Sequence, residues 1–188
     1  MFEGTEQVMI VTGMAAGVLA FLFLVLFEIF KCRACVKNKQ SANPFFIIGL
    51  ILLIAGWAVM CIGAKPAFSF LSVIGGVITA TGIVLYVIVL AQVSKGETYT
   101  KNAAKNAVSR TGAYRVVRHP GLWCFIVVAA GAACVAPRAI WGDILFVILN
   151  IDYIILQDTI FFNTYLEGYQ EYRQQVPFCF PHLRGDRK

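Results

Sequence analysis

The sequence predicts an all-α integral membrane protein of one domain, with five transmembrane helices, its N-terminus outside and its C-terminus in the cytosol. The first observation behind this prediction is composition. The 188 residues are 59% hydrophobic and only 14% charged, with a mean hydropathy of +0.75, whereas a soluble domain is about half apolar and about a quarter charged. A water-soluble enzyme and a disordered chain are therefore excluded. The other two observations are the apolar runs and the placement of basic residues.

Five apolar runs approach or exceed the length of about 20 helical residues that a bilayer core requires. The first contains a single charge, Glu28, near its end, and the second and third contain none. The fourth is short, and the fifth carries Asp143, Asp152 and Asp158. In chain order the five predicted spans cover residues 8–30, 45–64, 67–93, 121–136 and 140–162.

Basic residues alternate sharply between the two sides of the predicted bundle. With the N-terminus outside, the inner segments are 31–44, 94–120 and 163–188, and they contain all of the lysines and arginines except Lys65 and Arg138. The positive-inside rule therefore places the loop after the third span and the C-terminal tail in the cytosol. The net charge of +6 then describes a basic surface beside anionic lipid and not a nucleic-acid site. A bacterial inner membrane or an endoplasmic reticulum membrane would suit this arrangement.

The six cysteines indicate neither a disulfide framework nor a metal centre. Cys32 and Cys35 form a Cys-x-x-Cys pair, but no second pair of Cys or His stands nearby to complete the four ligands of a zinc site. Reversible palmitoylation at the membrane edge and plain free thiols are the two interpretations of this pair. We expect no bound metal.

The loop after the third span is the first segment with chemical character. It ends in Gly112-x-Tyr114-x-x-x-Arg118-His119-Pro120, where the chain re-enters the predicted membrane. One interpretation is a headgroup anchor, in which Arg118 and His119 hold the helix end and Pro120 occupies the first helical position. The other is a binding site at the cytosolic edge.

The fifth span contains more polar residues than a lipid-facing helix needs. Asp143, Asn150 and Gln157 are seven residues apart and share one helix face, whereas Asp152 and Asp158 lie elsewhere on the helix. Ionisable groups at membrane depth are costly and mark candidate functional sites. Asn150 and Asp152 lie near mid-span, so we expect them to face protein or water. In a transporter-like bundle, Asp143 and Asp152 would line a polar path.

The segment 165–181 alone would be an interfacial anchor, but together with the loop motif it resembles a known family. The two blocks are similar to those of the isoprenylcysteine carboxyl methyltransferases and phospholipid N-methyltransferases, over about residues 70–182. Counting back from the second block places Gln157 and Asp158 at the family's paired glutamates. The residues that keep the spacing of the second block are Tyr169, Tyr172, Val176, Pro177 and Pro181.

The resemblance implies a membrane enzyme that transfers a methyl group from S-adenosylmethionine to a lipophilic acceptor, an isoprenylcysteine carboxylate or a lipid that enters from the bilayer. The cofactor is a polar zwitterion, so the loop 95–120 would bind it from the cytosol, with Tyr169, Tyr172 and Arg173 in support. No catalytic residue follows from the resemblance. The implied cofactor contacts are Asn106, Ala107, Val108, Ser109, Tyr114, Arg118, His119, Pro120, Gly121, Leu122, Gln157 and Asp158.

The chain departs from the family pattern at several positions. Leu122 and Cys124 replace a tyrosine and a glycine, and Leu166 replaces the glycine before the tyrosines. Gln157 can hydrogen-bond but supplies no charge, so its contact with a cationic part of the cofactor would be weaker. The competing hypothesis is a non-enzymatic or transporter-like membrane protein that retains the fold with altered or lost activity.

The tail is predicted to contribute a helix that closes the site. Tyr169, Tyr172 and Val176 share one helical face. We expect this face to fold back over the 106–120 loop and to shield the cofactor pocket from water, with Val176 and Pro177 ending the helix. The alternative is an anchor that binds only lipid headgroups.

Overall fold

The computed structural model describes residues 2–36, 43–66, 68–95, 106–108 and 110–181. Within these ranges the chain is largely helical. Its elements are α1 (Phe2–Val36), α2 (Asn43–Ala64), α3 (Phe70–Lys95), β1 (Asn106–Ala107), a 3₁₀ turn (Gly112–Arg115), α4 (Pro120–Val135), a 3₁₀ turn (Pro137–Ala139), α5 (Ile140–Leu156), a π-helical turn (Gln157–Phe161), α6 (Phe162–Tyr165), β2 (Leu166–Glu167) and α7 (Tyr169–Gln175).

The helices agree with the predicted spans apart from their ends. Helix α1 extends beyond the run 8–30 in both directions, and α3 begins at Phe70, three residues later than predicted. The all-α prediction needs one correction, because β1 and β2 form a short parallel pair in which Asn106 lies opposite Leu166. This pair joins the loop to the tail and satisfies backbone groups that no helix covers.

Four apolar helical runs in the described residues are long enough to cross a membrane: Gly4–Arg33, Pro44–Ala64, Phe70–Gln92 and Pro137–Tyr165. Helix α4 is apolar but shorter. Large aliphatic side chains cover the outer surfaces of these helices, and lipid accommodates such a surface at far lower free energy than water. Length and composition are those of a membrane protein.

The helices are arranged as two tight pairs joined by α5. Helix α1 packs along α2, α3 packs along α4, and α5 contacts both α1 and α4. Glycines allow the paired backbones to approach closely. A Cβ atom on Gly13 would collide with the carbonyl of Gly56 in the first pair, and one on Gly75 with the carbonyl of Gly131 in the second.

The bundle has two chemically different ends. At the distal end, Glu6 of α1 forms ion pairs with Lys65 and Arg138, the two basic residues predicted to lie outside. At the motif end lie the loop residues 110–119, the end of α5 and the tail 165–181. A core that includes Phe21, Phe125 and Phe146 fills the space between α1, α2, α4 and α5.

Candidate functional site

Helix α5, in the fifth of the predicted spans, continues into a π turn at Gln157–Phe161. A π turn contains an additional residue and therefore shifts the direction of the side chains around it. The Nδ2 atom of Asn163 donates to the carbonyls of Asp158 and Thr159, at 3.3 and 2.9 Å. Both Gln157 and Asp158 consequently point into the bundle, one towards α1 and the other towards the loop. Such π turns occur frequently at functional sites.

Asp158 is the point at which the loop, the fifth span and the tail meet. Arg118 binds it through Nε, 2.8 Å from Oδ1, and through Nη2, 3.2 Å from Oδ2. The Tyr169 hydroxyl and His119 Nε2 lie 2.5 and 3.2 Å from Oδ1, and Arg173 Nε lies 3.4 Å from Oδ2. The residue is only 2% exposed. A buried carboxylate requires such partners, and here they fix the site's geometry.

The loop turn is held against α3. Gly112 has φ of 58°, a left-handed conformation that favours glycine, and a Cβ atom there would collide with Gln92. The Oε1 atom of Gln92 accepts a hydrogen bond of 2.9 Å from the backbone N–H of Ala113. The Tyr172 hydroxyl donates to the carbonyl of Tyr114 at 2.6 Å. The turn is therefore fixed from both sides.

The tail packs along the loop, as the sequence predicts. The backbone N–H groups of Arg118 and His119 donate to the carbonyls of Pro177 and Phe178, at 2.9 and 3.1 Å. Arg118 Nη1 also donates to the carbonyl of Val176 at 2.7 Å. Helix α7 ends immediately before Val176, which is extended, in agreement with the predicted end of the helix.

The tyrosines of α7 face protein. Tyr169 and Tyr172 are 3% and 2% exposed, so they are not available to the lipid headgroups that a simple aromatic anchor would contact. Burial raises the pKa of Tyr172 to about 12. Burial also raises the pKa of Tyr169, and its hydrogen bond to Asp158 raises it further. Both hydroxyls are therefore hydrogen-bond donors at neutral pH.

His119 is buried and neutral at physiological pH. Burial lowers its pKa, against the opposing effect of the Asp158 carboxylate, and the nearby Arg118 guanidinium lowers it further. Its ring stacks on Phe162, with centroids 5.9 Å apart. An ionised carboxylate only accepts hydrogen bonds, so Nε2 carries the ring proton towards Asp158 and Nδ1 is left as an acceptor.

Glu28 of α1 is a buried polar residue at the site that the sequence analysis did not single out. It is 1% exposed and accepts three hydrogen bonds. Tyr153 and Gln157 donate to Oε1 at 3.0 and 2.6 Å, and Tyr165 donates to Oε2 at 2.8 Å. The available signal was a lone glutamate inside an otherwise uncharged apolar run. It places a carboxylate beside Gln157, the position where the family pattern has a charge and this chain has none.

The polar residues of the fifth span separate into different environments. Asn150 is 8% exposed, as predicted, and its Oδ1 atom has no hydrogen-bond partner in the described part of the chain. Asp143 is buried at the distal end, where Trp57 Nε1 donates to Oδ1 at 2.7 Å. Asp152 lies on the exposed surface of α5, so it does not face protein, one of the two environments predicted for it. Asp143 and Asp152 therefore do not line a common polar path.

A cavity of about 780 Å³ lies at the motif end. One wall is polar and is built from the loop, the fifth span and α1, including Tyr114, His119, Asn150, Gln157 and Glu28. The opposite wall is apolar. Four of its side chains, from α2 and α3, are 37% to 59% exposed, so the cavity is not closed on this side. These are Phe46, Ile47, Val87 and Leu90.

The structure brings most of the predicted contacts to this cavity. Asp158, Pro120, Tyr172 and Arg173 lie behind the wall, where they support it. Ser109 and the side chains of Asn106 and Ala107 lie outside the described residues, although the backbone of Asn106 and Ala107 forms β1. Those that line the cavity are Val108, Tyr114, Arg118, His119, Gly121, Leu122, Gln157 and Tyr169.

The chain matches no protein-family model, no curated protein and no solved structure in sequence and structure comparisons. The geometry of the site and the resemblance of the two motif blocks are the observations that bear on its function.

Proposed function

We propose that the chain is an integral membrane methyltransferase that transfers a methyl group from S-adenosylmethionine to a lipophilic acceptor. The observation that carries the proposal is the cavity at the motif end, where a polar wall built from both motif blocks adjoins an apolar wall open to the side. A polar cofactor and an apolar acceptor need adjoining surfaces of these two kinds. The cavity volume of about 780 Å³ lies within the range of about 300–1,000 Å³ for small-molecule sites.

The residues in the cavity wall fit this cofactor. Asn150 presents a buried acceptor without a partner, as expected where a ligand completes the hydrogen bonding. Tyr86 and Tyr114 provide aromatic surface for adenine, and Gln157 lies between the loop and Glu28. When bound, S-adenosylmethionine supplies a sulfonium methyl group, whose C–S bond breaks as the acceptor's lone pair forms the new bond.

The chain's contribution to such an in-line displacement is alignment and exclusion of water. Arg118 and Asp158 hold the loop against the fifth span, and Tyr172 holds the loop turn against α7. The tail then covers the cytosolic side of the cavity. His119, which is buried, presents a polar ring in the cavity wall.

The proposed topology has five spans, the N-terminus outside and the site facing the cytosol. Helix α4 begins beside Asp158 at the motif end, and Arg138, soon after its end, binds Glu6 at the distal end. Despite its 16 residues it therefore runs between the two ends of the bundle. A cysteine introduced at Ser109 should resist membrane-impermeant labelling of intact cells. Labelling from outside would contradict this topology.

Ligand binding and methyl transfer test the activity. The purified protein in detergent should bind S-adenosylhomocysteine in calorimetry and should transfer label from radiolabelled S-adenosylmethionine to a component of a lipid extract. His119→Ala should abolish both, whereas Asp152→Asn, a change on the exposed face of α5, should leave both unchanged. Absence of binding at millimolar ligand would refute the proposal. A solute flux abolished by Asp152→Asn would instead favour the transporter-like alternative.

A further inference from the structure

We infer that Glu28 and Asn150 form a subsite for an ammonium group within the cavity. The inference deepens the proposed function and rests on it for the kind of ligand. Two sources of an ammonium group are then available, the amino-acid part of the cofactor and the headgroup of an amine-bearing lipid acceptor.

The first observation is the buried carboxylate of Glu28 in the cavity wall. Its neighbours Tyr153, Tyr165 and Gln157 all direct donors at it and hold it in one position, at distances of 2.6 to 3.0 Å. Keeping a carboxylate at membrane depth is costly, and a hydrophobic residue would fill the space at lower free energy. A cationic ligand gives this charge a function.

The second observation is independent and comes from another helix. Asn150 also lines the cavity and is only 8% exposed. Its Oδ1 atom has no hydrogen-bond partner among the described residues. An unsatisfied buried acceptor costs about 1–3 kcal/mol, so its presence points to a donor that arrives with the ligand. A carboxylate and a carbonyl oxygen together accept hydrogen bonds, and an ammonium group has three to donate.

The surrounding wall already accommodates an amine cation. Lys31, which lines the same cavity, holds its ammonium group 4.3 Å from the centre of the Tyr165 ring and 5.4 Å from that of Phe27. Aromatic faces attract such cations. Because Lys31 already occupies these rings, the ammonium group of a ligand is left with the carboxylate of Glu28 and the carbonyl oxygen of Asn150 as its acceptors.

The test pairs two variants with ligands that differ by the ammonium group. Binding to wild type, Glu28→Gln, Asn150→Leu and the control Asp152→Asn is measured in detergent with four probes: S-adenosylhomocysteine, its deaminated analogue 5′-(3-carboxypropylthio)-5′-deoxyadenosine, short-chain phosphatidylethanolamine and short-chain phosphatidylethanol. Glu28→Gln and Asn150→Leu should each weaken the binding of one ammonium-bearing probe at least tenfold. The affinity for its ammonium-free counterpart should stay within twofold of the wild-type value. Elution volume and melting temperature show that each variant is folded.

Each outcome decides a point. Selective loss of S-adenosylhomocysteine binding assigns the subsite to the cofactor, and selective loss of phosphatidylethanolamine binding assigns it to an amine acceptor. Equal effects on probes with and without the ammonium, or no effect on any probe that the wild type binds, would overturn the inference. Binding of phosphatidylethanolamine that depends on Glu28, without any binding of S-adenosylhomocysteine, would support the subsite and refute the methyltransferase proposal. A wild type that binds none of the four probes would refute both.

Discussion

Asp143 and Asp158 are buried carboxylates near opposite ends of the same helical run, yet their surroundings differ. At the distal end, Asp143 accepts one hydrogen bond from Trp57, and its Oδ2 atom has no partner in the described residues. At the motif end, Asp158 binds cationic and neutral donors from two other segments. The first arrangement links two helices. The second makes one carboxylate essential to the position of the loop and the tail.

Removal of the tail is the strongest test of this difference. Deleting residues 164–188 removes Tyr169 and Arg173 from Asp158 and uncovers the cavity. We expect S-adenosylhomocysteine binding to be lost while the spans still insert, because insertion depends on the apolar runs. Calorimetry and membrane fractionation measure the two properties. A truncated protein that inserts and binds with unchanged affinity would show that the tail is only an anchor.

Asp158→Asn should have the next largest effect. It leaves the buried Arg118 without its charged partner, and breaking a buried ion pair from one side costs about 3–5 kcal/mol. The melting temperature in detergent should fall, and cofactor binding should weaken with it. The matched control is Asp152→Asn, the same chemical change on the exposed face of the same helix. If both variants melt together, Asp158 does not organise the site.

Asp143→Asn should have a much smaller effect. The asparagine carbonyl still accepts the Trp57 hydrogen bond, and the change replaces one unpartnered polar atom, Oδ2, by another, Nδ2, while it removes a buried acid. We expect a change in the free energy of unfolding within about 1 kcal/mol and unaltered ligand binding. Denaturant titration and calorimetry measure these. A loss comparable to that of Asp158→Asn would show that the two ends do not differ as described.

The pH dependence contributed by His119 at the motif end is the smallest expected effect. The folded state lowers the pKa of His119 below its unfolded value of about 6.5, so the unfolded state binds more protons as the pH falls below that value. Stability is therefore present above about pH 6.5 and declines below it, by at most about 1.4 kcal/mol per pH unit for one proton.

Melting curves between pH 7.5 and 5.5 measure this decline. The groups that face His119 are Asp158 and Arg118, and His119→Gln, which keeps a donor for Asp158, should flatten the profile. An identical pH profile in the variant would assign the decline to other groups.

The sequence predicted the local features of this structure but not its long-range contacts. The positions of the helices along the chain and the end of α7 before Val176 follow from nearby residues, and the spacing of the two motif blocks predicted that tail and loop belong together. The environment of Glu28 could not be predicted, because its partners lie on α5 and α6, more than 120 residues away. The π turn also left no periodic signal, since one added residue changes phase only locally.

Asp152 shows that a general rule about buried charge does not by itself predict the position of a side chain. Helical periodicity correctly separates it from the face of Asn150, but the expectation that a charge at mid-span faces protein or water came from a general cost and not from a contact in this chain. Nothing in the structure explains its exposed position.

The sideways opening between α2 and α3 has a kinetic consequence. A lipophilic ligand that reaches the cavity past Phe46, Ile47, Val87 and Leu90 comes from the two-dimensional solution of the bilayer. The fraction of cavities that such a ligand occupies is then set by its mole fraction among the lipids and not by its concentration in the water. Adding inert lipid vesicle material at constant bulk concentration would dilute such a ligand at the surface and slow its capture, while a water-borne cofactor would be unaffected.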